Sequence, residues 1–269
     1  MRTVYAAVLL LLSLPVAAAP SADLWERWTA HDDTNKAVID HSAWSELLGK
    51  YVKPGADGIN RVAYASVTTN DKARLAEYLS KLQRIGISTF SRAEQRAYWI
   101  NLYNATTIKT VLDSYPVKSI RSINISPGWF ERGPWGAKML KVEGEELSLN
   151  DIEHRILRPI WKDPRTHYAV NCASLGCPNL ATQAYTALLM EGMLDDGARA
   201  YVNHPRGVEF RDHLLYVSSI YKWFASDFGG ASGVLAHLLQ YARPELADDL
   251  RDQKSIVGDH YNWDLNDAS

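Results

Sequence analysis

Apolar positions recur at helical spacing along much of the chain. Leu75, Tyr78, Leu79 and Leu82 share one helical face and predict a helix from Asp71 to about Arg84, capped by Asn70. Ser91-Arg92-Ala93-Glu94 is a capping-box pattern that opens a second helix. This helix should end before Tyr115-Pro116, because the residue ahead of a proline avoids the helical region. Between Ala97 and Ala105 it is apolar on nearly every side, which marks a buried central helix. Projection places Asn101 and Asn104 beside Ala97, Ala105, Ile108 and Leu112, so both amides face the core. A buried amide left without partners costs about 1–3 kcal/mol. Each is therefore expected to reach across to another segment, as a clamp on a loop or as part of a catalytic site.

Other stretches follow a different pattern. Lys138 to Val142 and Glu145 to Leu149 flank Glu143-Gly144 as a hairpin, and Val208-Glu209-Phe210 with Leu215-Tyr216-Val217 flank Asp212-His213 as another. Tyr168-Ala169-Val170 predicts a buried strand that delivers Asn171-Cys172. Further helices are predicted for a lead-in from Asp23 to Gly49, for a short stretch that Ser148-Leu149-Asn150-Asp151 starts and that runs to about Arg158, closed by Pro159, for Tyr185 to Asn203, and for Gly233 to Ala242 ahead of an extended tail. Helices mixed with hairpins, without a strand–helix–strand rhythm, predict a helix-rich α+β domain with a small antiparallel sheet.

The N-terminus has the pattern of an address. Met1-Arg2 precedes an apolar run from Val4 to Leu14, and Val16-Ala17-Ala18 supplies small residues for cleavage after Ala18. The run is shorter than the roughly 20 apolar residues that a membrane span needs. The organisation expected is a signal peptide at 1–18, a helical lead-in at 19–90 packed on the main body, the main domain at 91–228, and a tail at 229–269 completing the same body. The mature chain is expected to be soluble, without a membrane span, and periplasmic or secreted.

Composition narrows the function. The 269 residues are 46% hydrophobic and 22% charged, too apolar for disorder, and 29 Lys and Arg against 31 Asp and Glu leave no basic field for nucleic acid. Two cysteines exclude an all-cysteine metal site. No nucleotide-binding, zinc-protease or serine-hydrolase motif is present, and no cofactor is expected.

The candidate chemistry lies in Cys172, which enters the small-residue loop Ala173-Ser174-Leu175-Gly176-Cys177-Pro178. A free cysteine with a pKa of about 8.5 is mostly protonated at neutral pH, so a nucleophilic role requires a base or helix N-terminus nearby. His167, five residues back on an extended strand, would lie about 16 Å away. His154 projects roughly 150° from the apolar stripe of Leu149, Ile152, Ile156 and Ile160 and is free to approach, so it is the preferred base. Glu153, next to it, points elsewhere on a regular helix. Asn104 or Asn171 would orient the imidazole or stabilise an oxyanion. Two alternatives stand beside this one. A Cys172–Cys177 disulfide would contribute only about 2 kcal/mol by closing so short a loop. A zinc site could draw on His154, His167, Cys172 and Cys177.

The segments Tyr98-Trp99-Ile100-Asn101-Leu102-Tyr103-Asn104-Ala105, Leu149-Asn150-Asp151-Ile152-Glu153-His154, and Asp163-Pro164-Arg165 through Asn171-Cys172 to Cys177-Pro178 resemble the family called domain of unknown function 547. The resemblance runs from about Ser91 to Phe228, with Trp223 and Asp227-Phe228, and extends to Tyr261-Asn262-Trp263. It implies no established activity. It does imply a set of polar and reactive positions at Asn101, Asn104, Glu153, His154, Asn171, Cys172 and Cys177. The order of histidine before cysteine is similar to that in circularly permuted papain-like thiol enzymes. The family also resembles modules of intracellular proteins, where a lasting disulfide is less expected. Three functions follow as expectations: a Cys–His thiol hydrolase or acyltransferase; an exported binding module stapled by Cys172–Cys177, with Trp129 and Trp135 docking a small molecule, peptide or glycan; and a structural zinc site.

Overall fold

The computed structural model describes residues 20–128 and 131–268, so the predicted signal segment and Trp129 lie outside the described residues. The architecture is α+β: helices carry the core, and the strands form three separate small sheets of two, two and three strands among the described residues.

The lead-in is not one helix. It has a single 3-10 turn at Glu26–Thr29 and then α1 at Ser42–Tyr51. Short polar side chains break the stretch between them. Asp32 Oδ1 accepts from both the backbone N–H and the hydroxyl of Thr34 (2.9 and 2.6 Å), and Asn35 Oδ1 accepts from Ala37 N–H at 2.9 Å. Such local bonds compete with the helical ladder. Strands β1 (Val52–Pro54) and β2 (Asn60–Val62) pair antiparallel. Helix α2 spans Thr69–Gln83 and starts two residues earlier than its pattern suggests, because Thr68 rather than Asn70 caps it by accepting from Asp71 N–H at 3.1 Å.

Helix α3, Arg92–Ser114, follows the sequence closely. Ser91 caps it, and it ends ahead of Tyr115-Pro116. It is buried on almost every side, and its Trp99, Leu102 and Ala105 share one apolar cluster with Trp28, Trp44, Leu47, Leu75 and Leu82 from the segments before it. The β3 (Leu140–Val142) and β4 (Glu145–Leu147) hairpin turns at Glu143-Gly144, as expected.

The next segments depart from the pattern. Asp151–Leu157 is a π-helix, in which Arg158 N–H reaches back five residues to the Glu153 carbonyl, and it runs into α4 at Arg158–Trp161. Pro159 does not close the helix: the His154 and Arg155 carbonyls, which an N–H in its place would face, accept instead from Asp23 N–H and Trp25 N–H, both at 3.0 Å. Tyr168-Ala169 is not a strand. Asp163 Oδ1 accepts from Arg165 N–H, and three successive turn bonds wind Thr166–Ala169 into α5 before Val170 extends. Helix α6 starts at Met190, not Tyr185, because the Tyr185 backbone N–H and C=O are both bonded to the Asn101 side chain.

The β5 (Val208–Arg211) and β6 (Leu214–Ser218) hairpin turns on Asp212 and His213, both left-handed at φ 50° and 63°. Helices α7 (Ser219–Trp223), α8 (Gly230–Tyr241) and α9 (Pro244–Arg251) pack around it, and β7 (Gly258–His260) adds a parallel third strand to β6. Tyr168, Tyr201, Val217 and Leu238 centre this second apolar cluster. The tail after β7 then crosses back over the Cys172 loop: Leu175 N–H donates to Asp264 C=O, Gly176 N–H to Asn262 C=O, and Asn266 N–H to Ala173 C=O. No helix among the described residues is long and apolar enough to cross a membrane.

Candidate functional site

The two core amides of α3 are clamps. Asn101 Nδ2 donates to Tyr185 C=O at 2.7 Å while its Oδ1 accepts from Tyr185 N–H at 3.0 Å. Asn104 Nδ2 donates to Ala169 C=O, and its Oδ1 accepts from Asn171 N–H, both at 2.8 Å. Asn171 Nδ2 in turn donates to Pro178 C=O at 2.7 Å, and its Oδ1 accepts from Ala173 N–H at 2.8 Å. Asn104 and Asn171 thus spend their amides on backbone. Neither touches an imidazole or is free to serve as an oxyanion donor. They fix both ends of the thiol loop.

That loop is held in a strained form. Ala173, directly after Cys172, is left-handed at φ 55°, a conformation that costs a residue with a Cβ on the order of 1 kcal/mol. Gly176 is required where the tail crosses: a Cβ there would lie 2.7 Å from Asn262 N and 2.8 Å from its carbonyl oxygen. Arg206 Nη1 donates to the carbonyls of Leu175 and Cys177 (3.2 and 2.7 Å), and Tyr201 OH donates to Gly176 C=O at 2.6 Å.

Both cysteines are free thiols, Cys172 partly exposed and Cys177 buried. They are neighbours, with Cys172 N–H donating to Cys177 Sγ at 3.1 Å. Cys172 Sγ also lies 2.9 Å from Tyr261 OH and 3.3 Å from Ser174 Oγ. The Cys177 thiol beside it, together with the Ser174 and Tyr261 hydroxyls, outweighs burial and the nearby Glu153 charge and holds the Cys172 thiol below its ordinary range. Burial and the adjacent Cys172 push the Cys177 thiol well up, and burial does the same to Tyr261, which keeps its phenol a hydrogen-bond donor.

His154 does not pair with Cys172. It is buried, not on a cleft surface, and its Nδ1 lies 3.0 Å from Arg158 Nη1. A guanidinium can only donate, so Nδ1 is the unprotonated nitrogen and is already engaged. Burial also lowers the imidazole's affinity for a proton. The base preferred from sequence is therefore occupied elsewhere, and the likeness to permuted papain-like enzymes stays one of residue order. His167 is also apart from the thiols: its Nε2 lies 2.8 Å from Asp227 Oδ2. Asp227 is half-buried, yet hydrogen bonds from His167 and Arg158 outweigh that burial and hold its carboxyl well below the usual range.

Glu153 belongs to this second cluster, contrary to its projection on a regular helix. The wider π turn brings Oε1 to 3.9 Å from His154 Nδ1 and 4.0 Å from His167 Nδ1, while Oε2 accepts from Tyr103 OH at 3.0 Å. The zinc arrangement is not assembled, because the two histidines face Glu153 and Asp227 while the two cysteines face each other, Ser174 and Tyr261. Among the described residues no group of His, Cys, Asp and Glu is placed to hold a metal.

Trp135 joins an aromatic wall beside the thiol. Its ring centroid is 5.7 Å from that of Trp263, which lies 4.6 Å from Tyr261 and 5.7 Å from Trp223. The residues that sequence reasoning missed are Ser174, Tyr261 and Arg158. Tyr261-Asn262-Trp263 was visible as an extended tail, but no local pattern says that its phenol meets Cys172.

Residues 87–202 match the family described as Protein of unknown function, DUF547, the family that the motifs resemble. This segment of the chain is similar to that family. It contains α3, the π-helix and the thiol loop, and it ends before Asp227 and Tyr261. No curated protein and no solved structure matches the chain.

Proposed function

We propose that the protein is a thiol-dependent hydrolase or acyltransferase in which Cys172 alone is the nucleophile. The observation that carries this reading is the partly exposed residue Cys172, set in a strained loop with its sulfur flanked by Tyr261 OH at 2.9 Å and Ser174 Oγ at 3.3 Å. Hydroxyl donors favour the thiolate, which is the reactive form. The Tyr261 and Ser174 hydroxyls take the place of the nearby base that the sequence reading required: by stabilising the thiolate they let the thiol lose its proton to solvent before substrate arrives. The thiolate sulfur attacks a carbonyl carbon, a C–S bond forms, and the bond to the leaving group breaks as that group takes a proton from water. Water or an acceptor then cleaves the thioester and returns the thiolate. His154, His167, Glu153 and Asp227 form a separate polar cluster and take no part in the step.

The test is intact-mass analysis of the reduced chain after mixing with p-nitrophenyl acetate. One acetyl group on Cys172, formed in a burst with nitrophenolate and absent from Cys172→Ala, is expected. Equal, slow nitrophenolate release from both proteins overturns the reading.

A second reading is favoured by the contact between the two thiols. In an oxidising compartment, which the N-terminal pattern leads one to expect, Cys172 and Cys177 would close as a staple and leave a binding module. The purified, unreduced chain would then gain two hydrogens on reduction. An unchanged mass would exclude the staple.

A further inference from the structure

The aromatic wall beside Cys172 ends in the guanidinium of Arg121. Arg121 sits with Cζ 5.1 Å from the Trp263 ring centroid, and its side chain makes no ion pair among the described residues. Trp263 meets Tyr261, whose hydroxyl touches Cys172 Sγ, and Trp223 closes the wall at 4.9 Å from Tyr261. Trp135, Trp223, Tyr261 and Trp263 are all partly exposed, so the wall is open to solvent where a fully buried aromatic core would be sealed. The backbone supports it from beneath: Ser119 Oγ donates to Trp263 C=O at 2.6 Å, which ties the Arg121 turn to the tail that also pins the thiol loop.

We propose that this wall is the substrate subsite of the Cys172 centre, and that it takes acyl compounds bearing an aromatic ring and a carboxylate. The inference rests on the nucleophilic role proposed for Cys172 and adds the substrate class. Ring faces give stacking area, with a preference for offset or edge contacts. The guanidinium offers the planar fork that matches a carboxylate. A neutral acyl chain would use the first feature and leave the second idle.

Three alkylating agents separate the contributions. Iodoacetamide carries neither feature, iodoacetanilide carries the ring, and 4-(iodoacetamido)benzoate carries ring and carboxylate. In each case the sulfur displaces iodide: an S–C bond forms, the C–I bond breaks, and iodide leaves with the electron pair. Rates at Cys172 in the reduced full chain are to be divided by those on N-acetylcysteine. The benzoate is expected to react about tenfold faster than iodoacetanilide, the size of one charge-assisted contact. In Arg121→Gln that advantage should vanish, and Trp263→Leu should remove the gain of both ring reagents. An unchanged benzoate advantage in Arg121→Gln overturns the proposal. Should iodoacetamide itself fail to modify Cys172, the nucleophile reading falls separately. The subsite is then judged by saturable quenching of tryptophan fluorescence by 4-nitrobenzoate, expected in the parent chain and lost in Arg121→Gln. Quenching that does not saturate, or is equal in the two chains, overturns it.

Discussion

Replacing Asn104 by alanine removes a side chain that closes two bonds at 2.8 Å, one from its Nδ2 to Ala169 C=O and one to its Oδ1 from Asn171 N–H. The site is 2% exposed, so water cannot replace either partner without opening the core. Each buried polar group left unsatisfied costs about 1–3 kcal/mol. The two together predict a loss of about 2–6 kcal/mol, a large part of the stability of an ordinary domain. The same change releases one end of the loop that holds Ala173 at φ 55° beside Cys172. Urea unfolding gives the first effect, and the rate of Cys172 alkylation by iodoacetamide, in urea-free buffer where the variant is still folded, gives the second. Both should change: lower stability, and a Cys172 rate closer to that of N-acetylcysteine. A variant less than about 1 kcal/mol weaker with an unaltered thiol would refute the clamp, and with it the claim that α3 positions the loop.

Tyr261→Phe removes one of the hydroxyls that hold the Cys172 thiol down, and should raise the pH at which alkylation reaches half its maximum; the pH–rate profile of the variant checks this. Gly176→Ala forces a Cβ against the Asn262 backbone and should detach the tail, which is measurable as faster amide exchange at Asn262 to Asn266 with a lower Tm. Burial lowers the His237 pKa from 6.5 to about 4, beneath the Tyr168 hydroxyl at 2.8 Å. The unfolded chain therefore takes up this proton first as the pH falls. Stability is complete above about 6.5 and is lost progressively between there and about 4, by up to about 3 kcal/mol. His41 behaves in the same way, with a pKa also near 4. Denaturant melts across pH 4–7 should show the decline, and His237→Gln should flatten part of it.

What was legible in the sequence was local. The Ser91 and Glu94 pair fixes the start of α3, the proline after Tyr115 fixes its end, and the inward amides of Asn101 and Asn104 announce partners without naming them. Both hairpins declare themselves through their turn residues. The failures share a cause. Tyr168-Ala169-Val170 has a strand's composition, but the turn in which Asp163 Oδ1 accepts from Arg165 N–H leads into a helical turn at Thr166–Ala169. The projection of His154 and Glu153 assumed a regular helix, whereas the π turn swings both toward His167. Helix α9 hides behind Pro244 and its charged residues. The Tyr261–Cys172 contact joins residues 89 positions apart, and no periodicity carries such information.

The most direct test of the central claim is the pH dependence of iodoacetamide alkylation at Cys172, followed by mass in the fully reduced chain. The account predicts a single rise with a midpoint below the value of about 8.5 for an ordinary thiol, and Cys177 left unmodified in the folded protein. A midpoint at or above that value, or modification of Cys177 ahead of Cys172, would contradict it.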